Sequence, residues 1–241
     1  VLGALRWGPR ERQRESVSRD PPISTNLADI GGSPADQQEG QTVRGVKRSS
    51  MSQSPIDPRS LTTIAFDADD TLWHNETIFR FTEERFAALL ADVMEEAPLM
   101  ERLLAVERRN LKFYGYGIKG FTLSMIETAL EVTEGKATPQ LIQEILAAGR
   151  EMLTHPVETL PGVRETVTAL SDRFRVMVIT KGDLFDQERK VAESGIADLF
   201  HAVEIVSEKN ADTYRGLFDK HGTGATQAMM IGNSLKSDIL P

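Results

Sequence analysis

From residue 61 onward the apolar positions follow two distinct rhythms. Leu61-Thr62-Thr63-Ile64-Ala65-Phe66 is a short run rich in β-branched residues, the pattern of a buried strand. Helical spacing follows. Phe79, Phe86, Leu89, Leu90, Val93 and Met94 predict a helix over 78–96, and Leu99, Leu103, Val106 and Leu111 a second over 99–113. A third is expected over 121–132. A fourth opens at Thr138-Pro139, where a hydroxyl precedes proline at the first helical position. After Leu160-Pro161-Gly162 the order is helix 162–171, strand Arg175–Thr180, helix 184–194, strand Val203–Val206, helix 210–220 and strand Met229–Ile231. Strict alternation implies right-handed crossovers and a parallel sheet covered by helices on both faces. The expected architecture is therefore an α/β core over 58–75 and 156–241, split after its first strand by an all-helical insertion over 76–155.

Residues 1–57 break both rhythms. Pro21-Pro22, Gly31-Gly32-Ser33-Pro34 and Gln37-Gln38 stand among scattered arginines without a sustained apolar period, so this leader is expected to be disordered. The chain begins with Val1, and Met51 opens a short polar lead into the first strand. Translation is expected to start at Met51, with the upstream stretch an extension; a functional basic tail is the rival reading.

Composition narrows the function classes. The 241 residues include 28 Lys and Arg against 36 Asp and Glu, a net charge of -8 that disfavours nucleic acid as a partner and leaves room only for a local anion site. The absence of cysteine excludes disulfide scaffolds, thiolate zinc sites, iron–sulfur clusters and cysteine nucleophiles. No apolar run approaches the roughly 18–20 residues that span a bilayer, and residues 1–20 carry charges where an export signal would be apolar. A cytoplasmic protein without a membrane partner is expected.

Ligands of open parallel sheets bind beyond the carboxyl ends of the strands, and those positions are chemically selective here. The first strand ends at Asp67 and Asp69, the second at Thr180-Lys181-Gly182-Asp183, the third runs into Ser207-Glu208-Lys209, and the fourth into Gly232-Asn233-Ser234 with Asp238 beyond. Asp67 and Asp69 are two apart, so an extended backbone turns both to one face, where carboxylates repel unless a cation lies between them. Mg²⁺, which takes oxygen ligands and commonly one or two carboxylates plus a substrate phosphate, answers that repulsion, with Asp238 completing the set. A phosphate ester could then approach. One carboxylate attacks phosphorus, the other protonates the leaving oxygen, Thr180 holds a phosphate oxygen, and Lys209 stabilises nucleophile and phosphate.

Phe66-Asp67-Ala68-Asp69-Asp70-Thr71-Leu72 resembles the DxDxT signature of the haloacid dehalogenase (HAD) superfamily. Thr180, Lys209 and the segment Gly232-Asn233-Ser234-Leu235-Lys236-Ser237-Asp238 resemble its other three motifs, in order, over residues 61 to 240. The resemblance implies a HAD-like Rossmannoid three-layer core with a type 1 helical cap closing over the site. It implies Asp67 as the nucleophile forming an aspartyl-phosphate, and Asp69 as the general acid/base that also offers its backbone carbonyl to Mg²⁺. Thr180 and Lys209 would hold phosphate, with Lys181 and Gly182 alongside. The metal ligands would be Asp67, Asp69 and Asp238, with Asn233, where the family commonly has Asp, as a neutral ligand or neighbour. The family core normally continues past the position of Pro241 with a further helix and strand, which leaves the fourth strand an expected edge.

The implied activity is Mg²⁺-dependent hydrolysis of a small phosphorylated metabolite. A 2-haloacid dehalogenase would use the same nucleophile but needs neither metal nor a second acid, so Asp69 favours phosphate. A phosphomutase of the same fold and a non-catalytic or truncated HAD-like binding protein are also compatible with these residues. Asp70 and Asp183 are expected to be turn or capping groups, Trp73 to pack, and Asp186 to lie on a solvated helix face. The glycine- and aromatic-rich segment 113–121 is either a specificity loop presenting Tyr114, Tyr116 or Lys119 or an interhelical turn.

Overall fold

The computed structural model describes residues 58–241, so the leader expected over 1–57 lies outside the described residues. Four parallel strands, β1 (Thr63–Phe66), β2 (Arg175–Lys181), β3 (Ala202–Val206) and β4 (Ala228–Ile231), form one sheet in the order β3-β2-β1-β4. The two-residue period of a strand sorts the side chains into two layers. Ile64, Phe66, Val176 and Val178 face one way and pack with Val167 of α5 (Val163–Ser171) and Val191 of α6 (Leu184–Glu193). Ala65, Met177 and Ile179 face the other way, against Tyr214 and Leu217 of α7 (Ala211–Lys220). Helices therefore cover both faces of the sheet. β4 pairs only with β1 and is an edge strand among the described residues.

Between β1 and α5 the chain builds four helices, numbered before those of the core: α1 (Glu76–Leu89), α2 (Glu96–Tyr114), α3 (Ile118–Val132) and α4 (Pro139–Leu153). Their apolar stripes meet in a separate core that includes Phe86, Leu90, Leu99, Leu103, Phe121, Met125, Ile145 and Met152. Thr138 caps α4 by accepting from the Leu141 N–H at 3.1 Å. The expected helix over 78–96 ends earlier, at Leu89. The Leu90 carbonyl accepts from Val93 and Met94, closing a turn, and α2 restarts at Glu96 with Pro98 in its first turn, where a missing N–H costs nothing.

Both crossings between cap and core lie side by side. The His74 N–H donates to the Glu158 carbonyl at 3.0 Å, and the Leu160 N–H to the Leu72 carbonyl at 2.9 Å. Trp73, between them, is fully buried. Among the described residues, no helix is long and apolar enough to cross a membrane.

Candidate active site

β1 ends in the sheet's interior, and its next residue, Asp67, is 9% exposed. Lys209, just after β3, and Asp238, in the π-helical turn Leu235–Ile239 after β4, are buried beside it. The Lys209 ammonium donates to Asp67 Oδ1 at 2.6 Å and to Asp238 Oδ1 at 2.7 Å. Two carboxylates thus share one ammonium. Burial, opposed by Lys209 and reinforced by Asp238, pushes the Asp67 carboxyl up to about 6. Asp238 is oriented through Oδ2, which accepts from the Ser234 N–H at 2.9 Å. Gly232 makes room for it: a Cβ there would stand 2.3 Å from Asp238 Oδ2. Tyr214 donates from its hydroxyl to the Ser237 carbonyl at 3.0 Å, fixing the same turn from α7.

Asp69 points elsewhere. Its Oδ1 accepts from Trp73 Nε1 at 2.8 Å and Lys190 Nζ at 2.7 Å, and its Oδ2 from Gln187 Nε2 at 2.8 Å and Lys190 Nζ at 2.9 Å. A carboxylate has about four lone-pair positions, so all are in use. Lys190 also reaches Asn75 Oδ1 at 3.1 Å. The neighbouring Asp70 turns its carboxylate to the first amides of α1, accepting from Asn75 and Glu76 at 2.9 and 3.0 Å, and is a capping group.

The donor set suits a hard divalent cation. Asp67 and Asp238 present two adjacent carboxylates whose combined charge one lysine only half neutralises. Among the described residues no three His, Cys, Asp or Glu side chains converge, because the Asp69 carboxylate is committed to Trp73, Gln187 and Lys190. Asp69 could therefore contribute to a metal only through its main chain. Asn233 is exposed.

The model of the haloacid dehalogenase-like hydrolase family matches residues 61–241. The chain belongs to that family. A haloacid dehalogenase-like family hydrolase from Xanthomonas campestris is 48% identical, with a TM-score of 0.72 over 76% of this chain and 77% of that one. Two more distant structures share the hydrolase fold. A predicted phosphoglycolate phosphatase from Haemophilus somnus is 16% identical (TM-score 0.50; 74% of this chain, 80% of that one). A 2-haloacid dehalogenase from Pseudomonas syringae is 22% identical (TM-score 0.50; 74% and 80%). No curated protein matches the sequence.

The remaining candidate residues of the hydrolase lie on one rim. Thr180 is buried near the end of β2, Lys181 ends that strand, and Gly182 leads to Asp183, whose carboxylate caps α6 by accepting from Asp186 N–H at 3.0 Å. The Lys181 ammonium donates to Glu208 at 3.3 Å and to Ser237 Oγ at 3.1 Å, and lies 4.1 Å from the centre of the Tyr116 ring. Segment 113–121 is both an interhelical turn and a contact with the rim. Tyr116 donates to Glu208 Oε2 at 3.3 Å, and Lys119 to both Asp183 oxygens at 3.0 Å. Gly117, at φ 110°, brings the loop so close that a Cβ would lie 3.2 Å from the Asp183 amide nitrogen. Tyr114 turns away to Glu127, at 3.0 Å.

Asp186 is a correction to the sequence reading. Expected on a solvated face, it is 2% exposed and pairs with Arg189 at 3.0 Å and Lys190 at 3.6 Å. The face that α6 turns inward is Asp186, Gln187, Lys190 and Val191, mostly polar because it packs against the site. Gln187 and Lys190, which hold the Asp69 carboxylate, are not singled out by the sequence pattern. Their signal is a negative one: α6 has no full apolar stripe for its length.

Proposed function

We propose that this hydrolase cleaves small-molecule phosphate monoesters through a phosphoryl group carried on Asp67. The observation that carries the reading is Asp238 beside Asp67 on a single ammonium. Halide leaves carbon as a stable anion, so a dehalogenase has no need of a divalent cation to neutralise charge at the nucleophile. A phosphoryl site does: the three side chains sum to one negative charge, which a divalent cation reverses, allowing a phosphate dianion to enter.

Asp67, Asp238 and the Asp69 backbone carbonyl would hold Mg²⁺, with Asn233 just ahead of the turn that carries Asp238. When bound, that ion would neutralise charge on the transferring phosphoryl group. Asp67 attacks phosphorus in line with the ester oxygen, the P–O bond breaks, and Asp69 delivers a proton to the departing oxygen. Water then attacks the aspartyl-phosphate, giving its proton to Asp69, and releases phosphate with Asp67 restored. Thr180 and Lys209 hold the non-bridging oxygens, supported by the Lys181-Gly182 main chain. Because all four acceptor positions of Asp69 are filled, proton exchange with the ester requires the substrate oxygen to displace Gln187 or Lys190.

The test is release of phosphate from an aryl phosphate with and without Mg²⁺, beside Asp67→Asn, and release of chloride from 2-chloropropionate in parallel. Metal-dependent phosphate release lost in the variant is expected. Chloride release without phosphate release would replace this reading with the dehalogenase one.

A further inference from the structure

The helical cap carries a partly open hollow that the chemistry above does not use. A cavity of about 40 Å³ is lined by Phe79, Glu107, Asn110, Tyr116, Phe121 and Ser124, among others, with no lysine or arginine in its wall. That volume admits roughly three water-sized groups. Asn110 donates through Nδ2 to Ser124 Oγ at 3.2 Å and also hydrogen-bonds Glu127, and Ser124 donates on to the Gly120 carbonyl. Glu107 is different. It is 7% exposed, and among the described residues its carboxyl has no hydrogen-bond or ion-pair partner; the charge it feels is that of another acid, Glu83 of α1. Burying an unpaired carboxyl is unfavourable, and leucine would fill the same place without that cost.

Tyr116 connects the hollow to the catalytic rim, since it lines the cavity and also donates to Glu208 and lies beside Lys181. An acid without a partner, aromatic rings at Phe79, Phe121 and Tyr116, and the absence of basic groups from the wall together match a cation.

Resting on the phosphatase reading, we propose that the hollow receives the amino end of the leaving group, with Glu107 as its counter-ion, making aminoalkyl phosphates the favoured substrate class. Burial and Glu83 push the Glu107 carboxyl up to about 8, so pairing with an ammonium near pH 7 would expel its proton.

The experiment compares ω-aminoalkyl, ω-hydroxyalkyl and plain alkyl phosphates of two to five carbons, with wild type and Glu107→Gln. At the matching length, the amino ester is expected to exceed the other two about tenfold or more in kcat/KM, with the ratio falling toward one in the variant. Calorimetry in buffers of different ionisation enthalpy is expected to show release of about one proton per amino ester bound. Esters turned over with equal efficiency at every length, or a preference for the hydroxyl ester, would overturn the assignment while leaving the hydrolase reading intact. If no ester is hydrolysed, the hydrolase reading fails separately. Calorimetry then decides, and amino ester binding that is no tighter than plain ester binding, or unchanged in Glu107→Gln, overturns the pocket.

Discussion

Lys190 Nζ grips both oxygens of Asp69, at 2.7 and 2.9 Å, although the two residues lie on different elements on opposite sides of the cap insertion in sequence. The pair is partly buried, the lysine side chain 8% and the aspartate 23% exposed, so this contact is less screened than a surface ion pair. In the proposed mechanism Lys190 therefore positions the group that exchanges protons with the substrate. Lys190→Met is expected to lower kcat by about 10- to 100-fold for alkyl phosphates, whose poor leaving groups need an acid, and by less for nitrophenyl phosphate. Equal losses on both esters would assign Lys190 a purely structural role.

Asp238 and Gly232 form a second pair open to test. Asp238→Asn removes one of two adjacent carboxylates, and the concentration of Mg²⁺ for half-maximal activity is expected to rise by about tenfold or more. Gly232→Ala leaves the carboxylate in place but sets a methyl 2.3 Å from it, and is expected to shift the same activation curve in the same direction. An unshifted curve in both variants would remove Asp238 from the metal site.

The buried acid of the cap gives stability a pH dependence of definite sign. The Glu107 carboxyl, raised by burial from 4.5 to about 8, binds its proton more tightly in the folded chain than in the unfolded one. Its contribution to stability is complete below about 4.5, falls as pH rises, and is fully lost above about 8, with a limiting slope near 1.4 kcal/mol per pH unit. Glu107→Leu is expected to flatten that decline and to raise stability at pH 8 by about 1–3 kcal/mol. Chemical denaturation at pH 5 and pH 8 measures both effects.

Lys119 reaches across to Asp183, but its side chain is 52% exposed, so the bridge is worth no more than about 1 kcal/mol. Lys119→Ala is accordingly expected to raise KM only a few-fold, with the difference vanishing above about 0.5 M salt as screening removes the wild-type advantage. Asp183→Ala would be a poorer probe because it also uncaps α6.

The sheet and the residues at its strand ends are legible in the sequence because two signals coincide there: a two-residue apolar period stops, and the next residues are acids, a hydroxyl or a lysine. That is enough to place Asp67, Thr180, Lys209 and Asp238 on one rim. Lys190, Gln187 and Asp186 escape because charged residues on a short helix default to solvent. What holds Lys190 and Gln187 inward is the Asp69 carboxylate, more than a hundred residues away in the chain, and no local pattern reports it. Glu107 escapes for the opposite reason: it interrupts the stripe Leu99, Leu103, Val106, which reads as an ordinary apolar face unless the interruption is taken as a signal. The early end of α1 at Leu89 is hidden because Leu90, Val93 and Met94 keep helical spacing while forming a turn.

The two crossings at His74–Glu158 and Leu160–Leu72 lie on adjacent stretches of backbone, tied by two hydrogen bonds. Topologically, the four-helix cap is one long loop with its ends closed at a single point. Its length or sequence can therefore change without altering the order or register of the sheet. A chimaera exchanging everything between Asn75 and Val157 for another helical cap is expected to keep the contact of Asp67 with Lys209 while replacing Tyr116 and Lys119, the cap residues that touch the rim, so the sheet and what overhangs it can change separately in this architecture.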